Sequence, residues 1–154
     1  MPVTFHTADI KFSLKEKKKL KLFIVEQVKL AGYKIGSLAF VFCSDVYLLD
    51  INKKFLNHDY YTDIITFPLS ENEQVLEGEI YVSVDRVKEN SSQFAVRGPQ
   101  SKEKSNDVFE SELRRVMFHG VLHLLGLKDK TKAQKTEMRK MEDKWLKKFE
   151  VDNN

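Results

Sequence analysis

The chain has 154 residues, 26 lysines and arginines against 23 aspartates and glutamates, a formal charge of +3 and one cysteine. This length suits one domain with a single sizeable core, and one cysteine excludes a disulfide-stapled scaffold. No apolar run is long enough to cross a bilayer and no signal-peptide pattern opens the chain, so a cytoplasmic protein with no membrane contact is expected.

In chain order, residues 3–6 read as a short strand. Ser13-Leu14-Lys15-Glu16 fits a capping box opening a long amphipathic helix, with Leu20, Phe23, Ile24, Val28 and Leu30 apolar and Gly32 as its stop. Residues 37–42 form a dense apolar strand, and Ser44 can cap a helix running toward Phe55. Strands are expected at 63–67 and 79–84, the second alternating Ile80, Val82 and Val84 against Tyr81 and Ser83, with a turn at 70–74 between them. A helix over 85–94 precedes a polar loop at 97–107 containing Gly98 and Pro99. A helix carrying His119 and His123 follows, and a last helix opens near Thr131 with Gln134 as capping partner. Its stripe of Met138, Met141, Trp145 and Phe149 reads as core rather than as a base-stacking platform. The plan is a single α/β (α+β) domain over residues 1–154. A small, mostly mixed sheet of about four strands packs against about five helices, with the histidine helix in the C-terminal third.

The chemistry concentrates in His119-Gly120-Val121-Leu122-His123, followed by Leu124-Leu125-Gly126-Leu127-Lys128-Asp129. Residues four apart share a helix face, so both imidazoles can offer nitrogens to one ion. Gly126 suits the left-handed position that ends a helix, and the returning chain can bring Asp129 toward the pair. Three protein ligands leave an open coordination position, as a catalytic metal requires. Histidines at this spacing also occur simply as packed or solvated side chains. Met117, Phe118, Val121, Leu122, Leu124 and Leu125 make this segment apolar nearly all round, where unpartnered imidazoles are costly, and that favours the metal reading. Lys130 is no ligand unless deprotonated, and His58 lies in another segment, so Asp129 is the expected third donor. Gly120 stands where the His-Glu-x-x-His proteases carry their general base, and a glycine there is expected to leave room beside the ion.

Basic residues cluster twice. Lys15, Lys17, Lys18, Lys19 and Lys21 read as the solvated face of the first helix. The second cluster starts beside the histidine motif, where Lys128 and Lys130 are expected to draw a phosphate backbone toward the ion. Cys43 ends an apolar strand and reads as a buried small hydrophobe.

The run His119 to Asp129 resembles the signature of the YbeY family, metal-dependent, single-strand-specific endoribonucleases of ribosomal RNA maturation and ribosome quality control. That pattern is His-Gly-x-Leu-His-Leu-x-Gly-Tyr-Asp-His, with three histidines holding an ion usually assigned as zinc. A second block agrees. Ile51-Asn52-Lys53-Lys54-Phe55-Leu56 and Thr62-Asp63-Ile64-Ile65-Thr66-Phe67-Pro68 resemble the family's Leu-Asn-x-x-Tyr-Arg and Thr-Asp-Val-Leu-Ser-Phe-Pro, and Gly78-Glu79-Ile80 resembles Gly-Asp-Ile. The resemblance implies one zinc ion on His119, His123 and Asp129, RNA and ribosomal particles as partners, and a cleft lined by the segment at Thr62 and Asp63. Thr62 and Thr66 either donate to phosphate oxygens there or only cap and pair the strand. Two positions depart from the family: its third histidine is Asp129 and its arginine is Leu56. A His-His-carboxylate set also suits iron, manganese or nickel. The departures leave open a catalytically idle ribosome-assembly factor, and the ion alone leaves open another metal hydrolase such as a metallopeptidase.

Overall fold

Two alternating strands, β2 (Lys34–Cys43) and β4 (Val75–Ser83), give the sheet its two faces. Leu38, Phe40 and Phe42 from the first, with Leu76, Ile80 and Val82 from the second, point to one side and are all at most 3% exposed. On the other side Cys43, Leu48 and Ile65 form a smaller apolar cluster with Ile51, Phe67 and Tyr81. The computed structural model describes residues 2–95 and 105–151. The remaining elements are β1 (Val3–Thr7), α1 (Lys17–Leu30), α2 (Asp45–Leu56), β3 (Ile64–Pro68), α3 (Val84–Ala95), α4 (Ser105–Leu124) and α5 (Lys132–Val151). The sheet order is β1-β2-β4-β3, with β1, β2 and β4 parallel and β3 antiparallel to β4. Among the described residues this is the mixed four-stranded, five-helix α+β plan expected from the sequence.

Helix α4 crosses the main face of the sheet beside β3 and β4, and α1 and α5 flank it. An aromatic knot joins the three helices. Phe23 of α1 lies 5.3 Å from both Phe118 of α4 and Phe149 of α5, and Trp145 of α5 lies 5.7 Å from Phe118, as ring centroids. The stripe on α5 is therefore core, Met138, Trp145 and Phe149 being 4% exposed or less. Such packing fixes where α5 presents its other side chains to α4, and that positions the site.

Several boundaries differ from expectation. The capping box at Ser13 does not form: Glu16 takes a left-handed conformation (φ 58°) without a side-chain cap. Its carboxylate accepts from Arg114 Nη2 of α4 at 2.7 Å, a long-range charged contact that takes the group the local cap needs. Leu30 is 67% exposed, at the end of α1 and beyond its packed stripe. Strand β4 starts at Val75 because the strand edge continues, Val75 and Leu76 pairing with Lys34 and Ile35. The acidic Glu77, half-buried on the lesser face, hides this from an apolar pattern. Val84 opens α3 rather than ending the strand. Of the loop expected at 97–107, residues 105–107 open α4, and residues 97–104 lie outside the described residues. Two caps form as expected. Ser44 Oγ accepts from the Tyr47 amide at 3.1 Å, and at the start of α5 the Gln134 amide donates to Thr131 Oγ1 at 3.1 Å while Gln134 Oε1 accepts from the Thr131 amide at 3.0 Å. Cys43 is fully buried, its thiol donates to the Val82 carbonyl at 3.5 Å, and burial pushes its pKa up to about 12. No helix among the described residues is long and apolar enough to cross a membrane.

Candidate metal centre

The end of α4 builds the site. The Gly126 amide donates to the His123 carbonyl at 3.0 Å and the Leu127 amide to the Leu122 carbonyl at 3.0 Å, the paired bonds of a Schellman ending. Gly126 sits at φ +105°, a conformation only glycine adopts without strain, so the chain reverses over the last turn. The half-buried Leu125 and Leu127 pack on the core and hold the reversal in place. Asp129 returns beside the helix it has just left.

There it meets both histidines. Asp129 Oδ2 lies 3.2 Å from His119 Nε2, and Oδ1 lies 3.3 Å from His123 Nε2. The two imidazole centroids are 5.2 Å apart with planes at 89°, and one donor atom from each of the three residues falls within 4.8 Å of the others. An ion bound tetrahedrally at about 2.0–2.1 Å sets ligand edges of roughly 3.3–3.4 Å, close to both nitrogen–oxygen spacings. The group can hold a metal ion, its donor set of two nitrogens and one carboxylate being one that zinc and other transition metals accept.

Glu142 of α5 completes the arrangement, and the sequence reading did not find it. It is 5% exposed and accepts from His119 Nδ1 at 2.7 Å. A carboxylate only accepts, so Nδ1 carries the proton and Nε2 is left facing Asp129. Arg115 Nη1 donates to Glu142 at 3.2 Å and Nη2 to Asp143 at 2.8 Å, so the buried carboxylate is itself paired. The available signal was an acid set inside the apolar stripe of α5, four residues after Met138 and three before Trp145. Burial lowers the pKa of His119, but the bond to Glu142 and the charges of Glu142, Asp129 and Asp63 overcome it and leave the imidazole raised. Burial raises Asp63 against the opposing charge of His119, and burial raises Glu112 against Arg115 and Arg139.

Gly120 does not leave room beside the ion. A Cβ there would stand 2.9 Å from Ile64 Cδ1 and 3.0 Å from Ile80 Cγ2, so the missing side chain lets α4 press on the sheet. It lies on the packed face of α4, away from the ligands, and the expectation of substrate space at this position is corrected.

Two cavities meet at the triad. The smaller, about 340 Å³, is lined by His119, His123 and Asp129 together with Thr62, Asp63, Thr66, Leu56, His58 and Tyr60. The segment at Thr62 thus forms the wall expected of it. The Thr62 hydroxyl donates to the Ile64 carbonyl at 3.3 Å, and Thr66 is half-buried in β3 opposite Ile80. The larger cavity, about 740 Å³, shares Asp63, His119 and Asp129 and runs along the opening turns of α5, where Arg115, Lys132, Lys135, Arg139 and Lys140 line it together with Glu112, Glu142 and Asp143. Lys128 and Lys130 are exposed and line neither cavity. The basic cluster reaches the site through its next members, because α5 turns those toward α4. His58 shares the smaller cavity but stands outside the ligand group.

A mixed sheet carrying an open His-His-Asp group that can hold a metal ion, beside a cleft lined by both basic and acidic side chains, defines an α+β protein with a candidate metal site. Comparison with known proteins makes the class particular. The model of the family described as Endoribonuclease YbeY matches residues 3–150. The endoribonuclease YbeY of Cytophaga hutchinsonii is 40% identical over 141 residues, covering 92% of this chain and 91% of that protein. That of Karelsulcia muelleri is 46% identical over 112 residues, 73% and 71% of the two chains. The solution structure of the Thermotoga maritima protein TM1509 superposes with a TM-score of 0.63 at 28% identity, covering 96% of this chain and 88% of that one. The chain belongs to the endoribonuclease YbeY family, as the histidine run and the Thr62 block imply.

Proposed function

We propose that this chain is a metal-dependent, single-strand-specific endoribonuclease acting on ribosomal RNA during maturation and ribosome quality control in the cytoplasm. One zinc ion is held by His119, His123 and Asp129, and iron, manganese or nickel can take the same donors. The observation that carries the reading is the convergence of the three donors where a cleft bearing Lys132, Lys135, Arg139 and Lys140 meets a second wall lined by Thr62, Thr66, His58 and Tyr60. When bound, the ion supplies Lewis acidity toward a phosphoryl oxygen and lowers the pKa of a water.

The chain's own residues do the rest. Glu142 holds the proton on His119 Nδ1, and Arg115 holds Glu142. Lys132, Lys135, Arg139 and Lys140 track the phosphate backbone into the larger cavity, while Lys128 and Lys130 add to the field on the segment that carries Asp129. Thr66 on the same wall can donate to a phosphate oxygen, and Thr62 can do so on giving up its bond to the Ile64 carbonyl. Asp63 lines both cavities, and burial raises its carboxyl above the ordinary carboxylate range, which places a titratable group beside the three donors. A peptidase of the His-Glu-x-x-His kind lacks its base here, since position 120 faces Ile64 and Ile80.

The test is metal analysis of protein purified without added metal, followed by cleavage of single-stranded and duplex ribosomal RNA fragments beside His119→Ala. Stoichiometric metal and cleavage of the single strand, both lost in the variant, are expected. Metal without cleavage overturns the nuclease reading.

A further inference from the structure

The smaller cavity carries a feature that neither the candidate ligand group nor the larger cavity uses. His58 and Tyr60 line it, their rings stacked with centroids 5.1 Å apart and planes 22° from parallel. The Tyr60 hydroxyl and His58 Nδ1 are 2.9 Å apart. Tyr60 is 56% exposed, yet the backbone beneath it is fixed. Asn52, 1% exposed on α2, donates its side-chain amide to the Tyr60 carbonyl at 2.9 Å, and its backbone carbonyl accepts from the His58 amide at 3.1 Å. A buried polar side chain thus anchors an exposed ring beside the triad. The neighbouring Tyr61 is not equivalent, because the Arg86 guanidinium covers its ring at 5.0 Å.

The basic side chains divide in the same way. Lysines and arginines lie on the larger cavity, while among the described residues this wall has neither and offers the stacked rings and the half-exposed Leu56. A single strand presents two chemistries, a phosphate backbone and unstacked base faces, and a duplex hides the second. We propose that the His58–Tyr60 pair is a nucleobase-stacking subsite, which receives a base next to the scissile phosphate and favours single-stranded over duplex RNA. This rests on the endoribonuclease reading above and adds the residues that select the strand.

The experiment is steady-state cleavage of a single-stranded oligoribonucleotide and of a series with one abasic nucleotide at each position, by the metal-loaded parent, Tyr60→Ala and Tyr60→Phe. Stacking on an aromatic side chain predicts that Tyr60→Ala raises KM on the order of tenfold with a smaller change in kcat, and that Tyr60→Phe recovers most of it. One abasic position should cost the parent a similar factor and cost Tyr60→Ala nothing further. If no abasic position raises the parent's KM, or if the abasic and Tyr60→Ala penalties simply multiply, the subsite is refuted while the nuclease reading stands; the first arm needs no variant to fold. A parent that cleaves no single-stranded RNA refutes the underlying reading instead.

Discussion

Replacing Glu142 by glutamine tests whether a residue that would touch neither metal nor substrate sets the state of His119. Glutamine keeps the volume of this buried side chain and one carbonyl to accept from His119 Nδ1. Its other terminus becomes an NH2 group facing Arg115 Nη1, now 3.2 Å away, so donor meets donor. Arg115 retains Asp143 at 2.8 Å and is not orphaned. The loss is therefore about one charge-assisted hydrogen bond, about 1.5–3 kcal/mol, and not the about 3–5 kcal/mol of an uncompensated buried charge. For a chain of this size that lowers Tm by roughly 5–10 °C. Metal affinity should fall roughly 10- to 100-fold, the usual effect of removing an outer partner of a metal-ligating imidazole.

The pH dependence supplies a sign. His119 is raised above its ordinary 6.5 in the folded, metal-free protein, so between that value and its folded pKa the folded state holds more proton than the unfolded. Its stabilising contribution is complete below about 6.5 and is lost as pH rises through the folded pKa. Asp63 and Glu112, also raised, act with the same sign at lower pH. Denaturant unfolding of metal-free protein from pH 6 to pH 9 should show the parent losing stability on the alkaline side, with a shallower loss in Glu142→Gln. Equal metal affinity in the two proteins, with equal pH slopes, refutes the argument that Glu142 governs His119.

Asp129→Ala should lose most of the metal affinity while Asp129→His keeps it, read by competition with a chromogenic chelator; undiminished binding in the alanine variant removes Asp129 from the ligand set. Gly120→Glu should not create a peptidase base but drive a carboxylate against Ile64 and Ile80, at a cost of several kcal/mol seen as a collapsed denaturation midpoint. A variant as stable as the parent contradicts the packing described. Leu56→Arg places a cation on the smaller cavity at a position already 41% exposed, so folding should be spared. The slope of log affinity for single-stranded RNA against log salt should steepen by about 0.7, the share of one phosphate contact. An unaltered slope places that side chain off the RNA path.

The convergence of the three candidate donors was legible because its signals are local. Two histidines four apart, a glycine and a following acid all sit within eleven residues, and the Schellman turn that joins them needs only Gly126. The strands were legible where one face is purely apolar, and β4 was shortened where Glu77 broke the pattern on the lesser face. What could not be read locally is which residue of another helix would meet His119, since Glu142 gains its partner only when α5 docks through Trp145 and Phe149. The same docking explains why Lys132 and Lys135, rather than Lys128 and Lys130, line the cleft.

Gly120 shows that some of this information was present in another form. Along α4, Leu113, Met117, Gly120 and Leu124 recur at intervals of four, three and four, the row that packs toward the sheet. Glu112, Arg115, His119 and His123 repeat at three, four and four on a neighbouring row, the one that faces α5 and the cavities. Both rows have helical spacing, and the near-continuous apolar composition from Val116 to Leu125 conceals the boundary between them. Helical phase therefore separates the residue after the first histidine from the chemistry beside it. A glutamate placed there by analogy with the zinc proteases would point into the sheet, because in this chain the row containing position 120 is the one that α4 buries.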